Sequence, residues 1–249
     1  MADLLDLPEY LAKIAFEEFG ETSEKRYQAI LELRSRINNL PNAEDKLEDT
    51  SDLSLIRFLR VRKYDLDSAL QTTVELQRFR SAHADWLHPD AQEILQYCQF
   101  CQIPPQFDQY HRVIVTIHPI HAAHLFTPDF LRQHPHGPKR FVLWLFDRLS
   151  HHVNAQVCGI VFVNSFHDVG FWEALVVSKV LTLSHLLVTL TYVTRCLKLR
   201  LSAALIFEQP LFLTVLWPVL RSFMSEKIKS RFFLCGSEYS RLRQVLGED

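Results

Sequence analysis

The chain has 249 residues, 48% hydrophobic and 22% charged, with a formal net charge of −2. That length suits one large domain or a small domain beside a medium one, with enough apolar material for a real core. The near-balanced charge excludes a global pull toward nucleic acid or membrane, so any electrostatic function must come from a local patch.

The first hundred residues read as helices. Thr22 and Ser23 precede EKRYQAILELRSRINNL, where Tyr27, Ile30, Leu31, Arg34 and Ile37 mark one stripe and Pro41 closes the run. Asp52 opens LSLIRFLRVRK, with Leu55, Ile56 and Leu59 on an apolar face and Arg57, Arg60, Arg62 and Lys63 on the remainder. Asp65 or Asp67 caps a helix of about twenty residues reaching Trp86, and Leu66, Ala69, Leu70, Val74, Leu76 and Phe79 follow its 3.6 period. Pro89 to Phe100 reads as one more helix.

The texture changes at Pro104-Pro105. RVIVTIH (Arg112 to His118) alternates and is β-branched, as a strand is. His118, His121 and His124 recur every three residues, but Pro119 interrupts a helical reading; they are expected to be exposed or in loops, as are His134, His136, His151 and His152. Thr127-Pro128 is an N-cap and first-turn pair, and His134 to Pro138 interrupts what it starts. Lys139 to His151 is helical. GIVFVNSF (Gly159 to Phe166) is a continuous apolar strand, as expected where both sheet faces are covered.

One long helix is expected from Phe171 to about Thr194. Within it Ala174 to Val193 is apolar enough to test as a membrane span, but Lys179 and His185 fall inside, so a buried or cavity-lining helix is the reading. LSAALIF (Leu201 to Phe207) is a third strand, Pro210 to Phe223 a helix containing Pro218, Arg231 to Leu234 a fourth strand, and Tyr239 to Leu246 a last helix. An all-helical domain over 1–100 is thus followed over 101–249 by strands separated by helices. That order implies crossovers and a mainly parallel sheet.

Catalytic and metal motifs are absent from the string. It has no glycine-rich phosphate loop, no GxSxG and no HExxH. Ser165, His167 and Asp168 fall together after a strand, but chain neighbours point in different directions and do not make a triad. Cys98 and Cys101 form a lone CxxC without a second pair, so no metal is expected. The five cysteines are scattered and the start MADLLDLPEY is acidic, which points to a reduced, cytosolic setting without a signal peptide. No enzyme and no cofactor is expected.

Several strings meet in one family. LIRFLRVRKYDLDSAL (Leu55 to Leu70) resembles the FLRARKFD signature in the helical head of CRAL-TRIO lipid-transfer proteins. FEQPLFLTVLWPVLRSFMSEKIKSRFFLCGS (Phe207 to Ser237) resembles that family's NEPxxFxxxxxxxKPFLxEKxxxRIxxHG segment, with the spacing from Pro210 to Lys227 and Arg231 kept. NAQVCGIVFV resembles the strand that begins NGxxxxxD. The likeness runs from about residue 8 to 246 and is nearest to the tocopherol-transfer, retinaldehyde-binding and clavesin branch. Against the family pattern this chain has Ser165 for Asp, Glu208 for Asn, Leu197-Lys198 for Phe-Pro and Cys235 for His.

The resemblance implies an α/β fold: a three-helix head and a lipid-binding domain whose mainly parallel sheet floors a hydrophobic pocket under a mobile lid. Phe162, Phe171, Leu175 and Leu187 would line the pocket, with the lid helix from about Pro210 supplying Phe212, Val215, Leu216, Val219 and Phe223. These lid residues would divide between ligand and bilayer. The resemblance also implies a basic site for phosphoinositide head groups at Arg62, Arg200, Lys227 and Arg231, with Ser202 replacing a further cation. Between Arg195 and Arg231 stand seven Lys or Arg against two Glu. Lys227 and Arg231, four apart, would share a helical face with Ile228 and Phe232 turned inward, leaving Lys229 solvated. The expected protein is a monomeric lipid carrier, cytoplasmic and transiently on membranes, with a hydrophobic ligand and no nucleic acid. The alternative is a phosphoinositide-sensing interaction module without cargo.

Overall fold

The computed structural model describes residues 5–86 and 90–247; Pro89, the expected start of one helix, lies outside them. In chain order come α1 (Glu9–Phe19), α2 (Ser23–Asn38), α3 (Asp52–Val61), α4 (Leu66–Ala82), α5 (Ala91–Tyr97), β1 (Cys101–Gln102), β2 (Val113–Ile117), α6 (Pro119–Leu125), α7 (Pro128–Gln133), α8 (Gly137–Leu149), α9 (Val153–Val157), β3 (Ile160–Ser165), α10 (Phe171–Val180), α11 (Leu183–Thr191), β4 (Leu201–Phe207), α12 (Leu211–Ser222), α13 (Glu226–Lys229), β5 (Phe232–Gly236) and α14 (Ser240–Leu246). The chain divides into two compact units: Met1–Ala84 with Phe146–Gly159 and Arg195–Arg200, and Asp85–Leu145 with Ile160–Thr194 and Leu201–Asp249.

In the first unit the helix starts follow capping chemistry. Thr22 accepts from the Lys25 backbone N–H, Ser51 from Ser54 and Asp65 from Ser68, each typically contributing about 1 kcal/mol. The helix after Asp65 stops at Ala82, and a short 3-10 turn carries the chain to Trp86. Two expectations are corrected here. The buried stripe of α2 is Arg26, Ala29, Ile30, Leu33 and Ile37, whereas Tyr27 and Leu31 are exposed. On α3, Arg57 and Arg60 are buried rather than solvated.

The buried arginines have one cause: the interior supplies polar partners that periodicity does not count. Arg60, 2% exposed, binds Glu21 through Nη2 at 2.7 Å and Nε at 3.0 Å, and donates to Gln156 Oε1 at 2.7 Å. Arg26 shares Glu21 and reaches Asp6. A paired and fully hydrogen-bonded guanidinium is the form in which a core tolerates charge.

In the second unit the sheet order is β1-β2-β3-β4-β5, with β2 through β5 parallel and β1 antiparallel to β2. The two-residue β1 adds to the four strands expected. Pro119 does not break a helix but begins one, at the first turn of α6 where its missing N–H is not needed. The long helix expected from Phe171 is two helices. Leu181 and Thr182 separate them, and Thr182 caps α11 by accepting from the His185 N–H at 3.2 Å. Among the described residues no single helix is long and apolar enough to cross a membrane; the Phe171–Val180 and Leu183–Cys196 pair passes that test together but is bent by 56°.

Alternation along the strands splits the sheet's side chains between two faces. Leu205, Phe207 and Cys235 pack with Val163, Phe233 and the α14 residues Leu242 and Val245. On the other face Ile206 and Phe232 meet Ala123 of α6, Val177 of α10, Leu190 of α11, and Leu213 and Leu220 of α12. That second face positions the candidate site.

Candidate functional site

α12 is apolar on two sides. Leu213 and Leu220 are buried, and Phe212, Leu216 and Trp217 pack beside them against the sheet face. Leu211, Val215, Val219 and Phe223 are exposed, and their four-residue spacing sets them along one outer face. Pro218 stands inside the helix. The N-terminal half of α10 is similar: Phe171 and Trp172 are more than 70% exposed, at 75% and 72%, and touch edge to face at 5.3 Å.

The nine residues expected around the pocket therefore fall into two groups. Leu187, Phe212 and Leu216 join the apolar cluster on the sheet. Phe162 is buried on β3, one position from Val163 and thus on the same face as that cluster. Phe171, Leu175, Val215, Val219 and Phe223 are exposed. Sequence reading missed Leu213, Leu220, Met224 and Trp217 as inward residues, although the i, i+3 and i+7 spacing of Trp217, Leu220 and Met224 carries that signal.

His185 on α11 is 5% exposed. Burial, with the Lys139 charge adding to it, lowers its pKa to about 4, so the ring is neutral at physiological pH.

The expected basic residues lie in different units. In the first, Arg62 closes α3 and donates from Nε to Thr72 Oγ1 at 2.7 Å. Among the described residues no carboxylate lies within ion-pair distance of it, and burial pushes its guanidinium pKa down. Arg200 donates to Glu18 Oε2 at 3.1 Å, an oxygen that Lys63 also reaches at 3.0 Å. The Lys63 hydrogen bond is the main reason that the Glu18 pKa is lowered. Two cations thus share one carboxylate and leave a positive surplus. Lys63 occupies a left-handed turn with φ of 52°.

In the second unit Lys227 is exposed on α13 and Arg231 half-buried just before β5, its carbonyl accepting from the Ala204 N–H at 2.7 Å. The shared helical face expected for this pair does not form, because α13 ends at Lys229 and Ser230 caps it. Ile228 and Phe232 do turn inward to the apolar cluster. Lys229 is not simply solvated: it binds Glu226 Oε1 at 2.6 Å.

Other candidates do not assemble. Ser165 Oγ accepts from the backbone N–H of His167 at 3.3 Å, while the His167 ring meets Asp168 at 3.4 Å. Among the described residues no group of three His, Cys, Asp or Glu could hold a metal ion. Burial pushes the Cys101 thiol up to about 12, the opposite of what a reactive thiolate needs.

A mainly parallel sheet with consecutively ordered strands, one face closed by α6, α10, α11 and a two-sided apolar α12, defines an α/β protein with a helix-covered apolar floor. The chain belongs to the CRAL/TRIO domain family, whose match spans residues 98–249. It is similar to the Alpha-tocopherol transfer protein-like protein of Homo sapiens, 26% identical over 255 residues, with 96% of this chain and 68% of that one covered. It is also similar to Clavesin-2 of Rattus norvegicus, 24% identical over 247 residues, covering 96% of this chain and 71% of that one. The crystal structure of Sfh5 shares the fold, with a TM-score of 0.52 at 14% identity, covering 96% of this chain and 85% of that one.

Proposed function

We propose that this chain is a lipid-binding and transfer protein rather than an enzyme. It carries one apolar ligand, tocopherol-, retinoid- or phospholipid-like, against the sheet face beneath α12, and docks transiently on phosphoinositide-containing membranes from the cytoplasm as a monomer. The observation that carries this reading is the two-sided α12. Phe212, Leu216 and Trp217 face the apolar cluster and Val215, Val219 and Phe223 face solvent. Such a helix can cover a ligand with one side and rest in a bilayer surface with the other. The name of the human relative supports a transferred hydrophobic cargo.

Arg62 and Arg200 in the first unit, and Lys227 and Arg231 in the second, are the proposed contacts to head-group phosphates, since guanidinium and ammonium groups match phosphate oxygens. A head group opens the lid only to the extent that it binds the open state better. Lipid extracted from the purified protein and identified by native mass spectrometry tests the cargo. A discrete lipid, exchanged between vesicles by the protein, is expected, and a reproducibly empty protein overturns the carrier reading.

The sheet face is filled by the chain's own Leu213, Leu220 and Met224, which favours the alternative of a phosphoinositide-sensing module without cargo. That alternative gives vesicle binding that is lost in Lys227→Ala/Arg231→Ala, together with no lipid transfer.

A further inference from the structure

The first unit holds a polar cleft that the lipid reading does not use. Its volume is about 150 Å³, and Arg57, Arg80, Lys198, His151, Asp49 and Asp147 line it. That is well above the ~10–15 Å³ that one water needs. Lys198, at a position where the chain departs from the pattern quoted above, is 3% exposed and Arg57 5% exposed. Asp49 and His151 are exposed and stand at the mouth.

The charges in the cleft do not cancel. Lys198 Nζ donates to Asp147 Oδ1 at 2.7 Å, and Asp147 also lies 3.7 Å from His151 Nε2. Arg57 Nη1 reaches Ser150 Oγ at 3.2 Å and His151 Nε2 at 2.8 Å. Guanidinium only donates, so that ring nitrogen accepts and the imidazole is neutral. Burial and the Arg57 charge both hold the His151 pKa down. Asp49 accepts from the Ser51 N–H at 3.0 Å. Among the described residues Arg80 makes no ion pair and no side-chain hydrogen bond. Three cations thus face two carboxylates across a space open to solvent. Burial lowers the Lys198 pKa to about 8 against the pull of Asp147, and Arg57 and Arg80 push in the same direction as burial.

The surplus charge is that of Arg80, which is half-buried on the cleft wall and is matched when an anion completes the set. We propose that this cleft binds a small phosphate-class oxyanion, gripped by the Arg80 and Arg57 guanidiniums with Lys198 beside them. Guanidinium forks match tetrahedral oxyanions bidentately, and an ammonium adds a point charge. The anion is either free phosphate or the phosphate of a soluble or lipid-borne head group.

The test uses the full chain with three probes: inorganic phosphate, a soluble inositol phosphate, and vesicles containing phosphoinositide. Binding is followed by titration calorimetry or, for vesicles, sedimentation, with ionic strength held constant by chloride. Saturable binding of at least one probe is expected, weaker by at least about tenfold in Arg80→Gln and unchanged in Lys13→Ala, an exposed lysine on α1 outside both proposed sites. Arg80→Gln breaks no described interaction, and circular dichroism confirms its fold; Lys198→Met is the second variant and is expected to weaken the same probe. A response confined to vesicles and weakened by Arg80→Gln assigns the anion to a lipid head group and supports the site. No saturable binding of any probe, or binding that Arg80→Gln leaves unchanged, overturns it. The result is independent of whether the protein carries a lipid.

Discussion

The outer stripe of α12 gives the most direct test of membrane contact. Leu211, Val215, Val219 and Phe223 are 78%, 65%, 43% and 61% exposed. Complete transfer of such a side chain from water is worth about 1.5–3 kcal/mol. Scaled by those fractions, sinking the stripe into an apolar surface yields roughly 4–7 kcal/mol. Val215→Asp/Val219→Asp removes about 2–3 kcal/mol of this and adds the cost of dehydrating two carboxylates. Affinity for uncharged phosphatidylcholine vesicles is therefore expected to fall by at least about 30-fold. Uncharged lipid isolates this term from phosphate binding. Both positions are exposed, so the unfolding free energy is expected to stay within about 0.5 kcal/mol of the parent. Vesicle sedimentation or tryptophan fluorescence reads the partition. A variant that partitions like its parent, or a parent that does not bind such vesicles at all, refutes the reasoning.

Two further outcomes concern stability. Glu21→Gln leaves Arg60 buried without its carboxylate and is expected to cost about 3–5 kcal/mol in urea unfolding; a loss below about 1 kcal/mol would show that the pair is dispensable. His185 has a folded pKa of about 4 against an ordinary 6.5. Between those values the unfolded chain takes up the proton and the folded chain does not, so the contribution is whole above pH 6.5 and erodes as the pH falls toward 4. The full loss is about 3 kcal/mol, and His151 and His152, also lowered by burial, act in the same direction. Comparing unfolding at pH 7 and pH 5 in the parent and in His185→Leu checks this: equal acid sensitivity in both proteins removes His185 as its source.

Legibility in the sequence depended on whether a signal was local. β2 to β5 stood out as β-branched or apolar runs between breakers, while the two-residue β1 is too short to alternate. Thr22 and Thr127 announced their helices because a cap is a contact over three residues. Thr182 carries the same signal, but the apolar run around it hid the stop. Periodicity places Arg57 and Arg60 outward because it treats charge as solvent-seeking, and nothing local reveals that Glu21 and Gln156 wait inside for Arg60 and Ser150 for Arg57. Likewise a helix apolar all round cannot say which of Phe212 and Val215 turns inward; the sheet decides. The candidate cations Arg62, Arg200, Lys227 and Arg231 came from the family likeness. The helical pairing reasoned for the last two was lost to the Ser230 cap.

The first unit is assembled from three separated stretches of chain. α9 lies far along the sequence from α3, yet Gln156 just before its end completes the Arg60 shell, and Ser150 and His151 both meet Arg57 Nη1. A ribosome that has released residues 1–84 has therefore delivered Arg60 and Glu21 but not their partner Gln156, and Lys198 and Arg200 arrive later still. The unit that holds residues 1–84 is among the last to be finished. Two long excursions, 85–145 and 160–194, must close before it is, at an entropic cost that grows only slowly with their length. An N-terminal fragment cut at the visible change of texture keeps Glu21 for Arg60 but carries Arg57 and Arg60 without Ser150, His151 and Gln156.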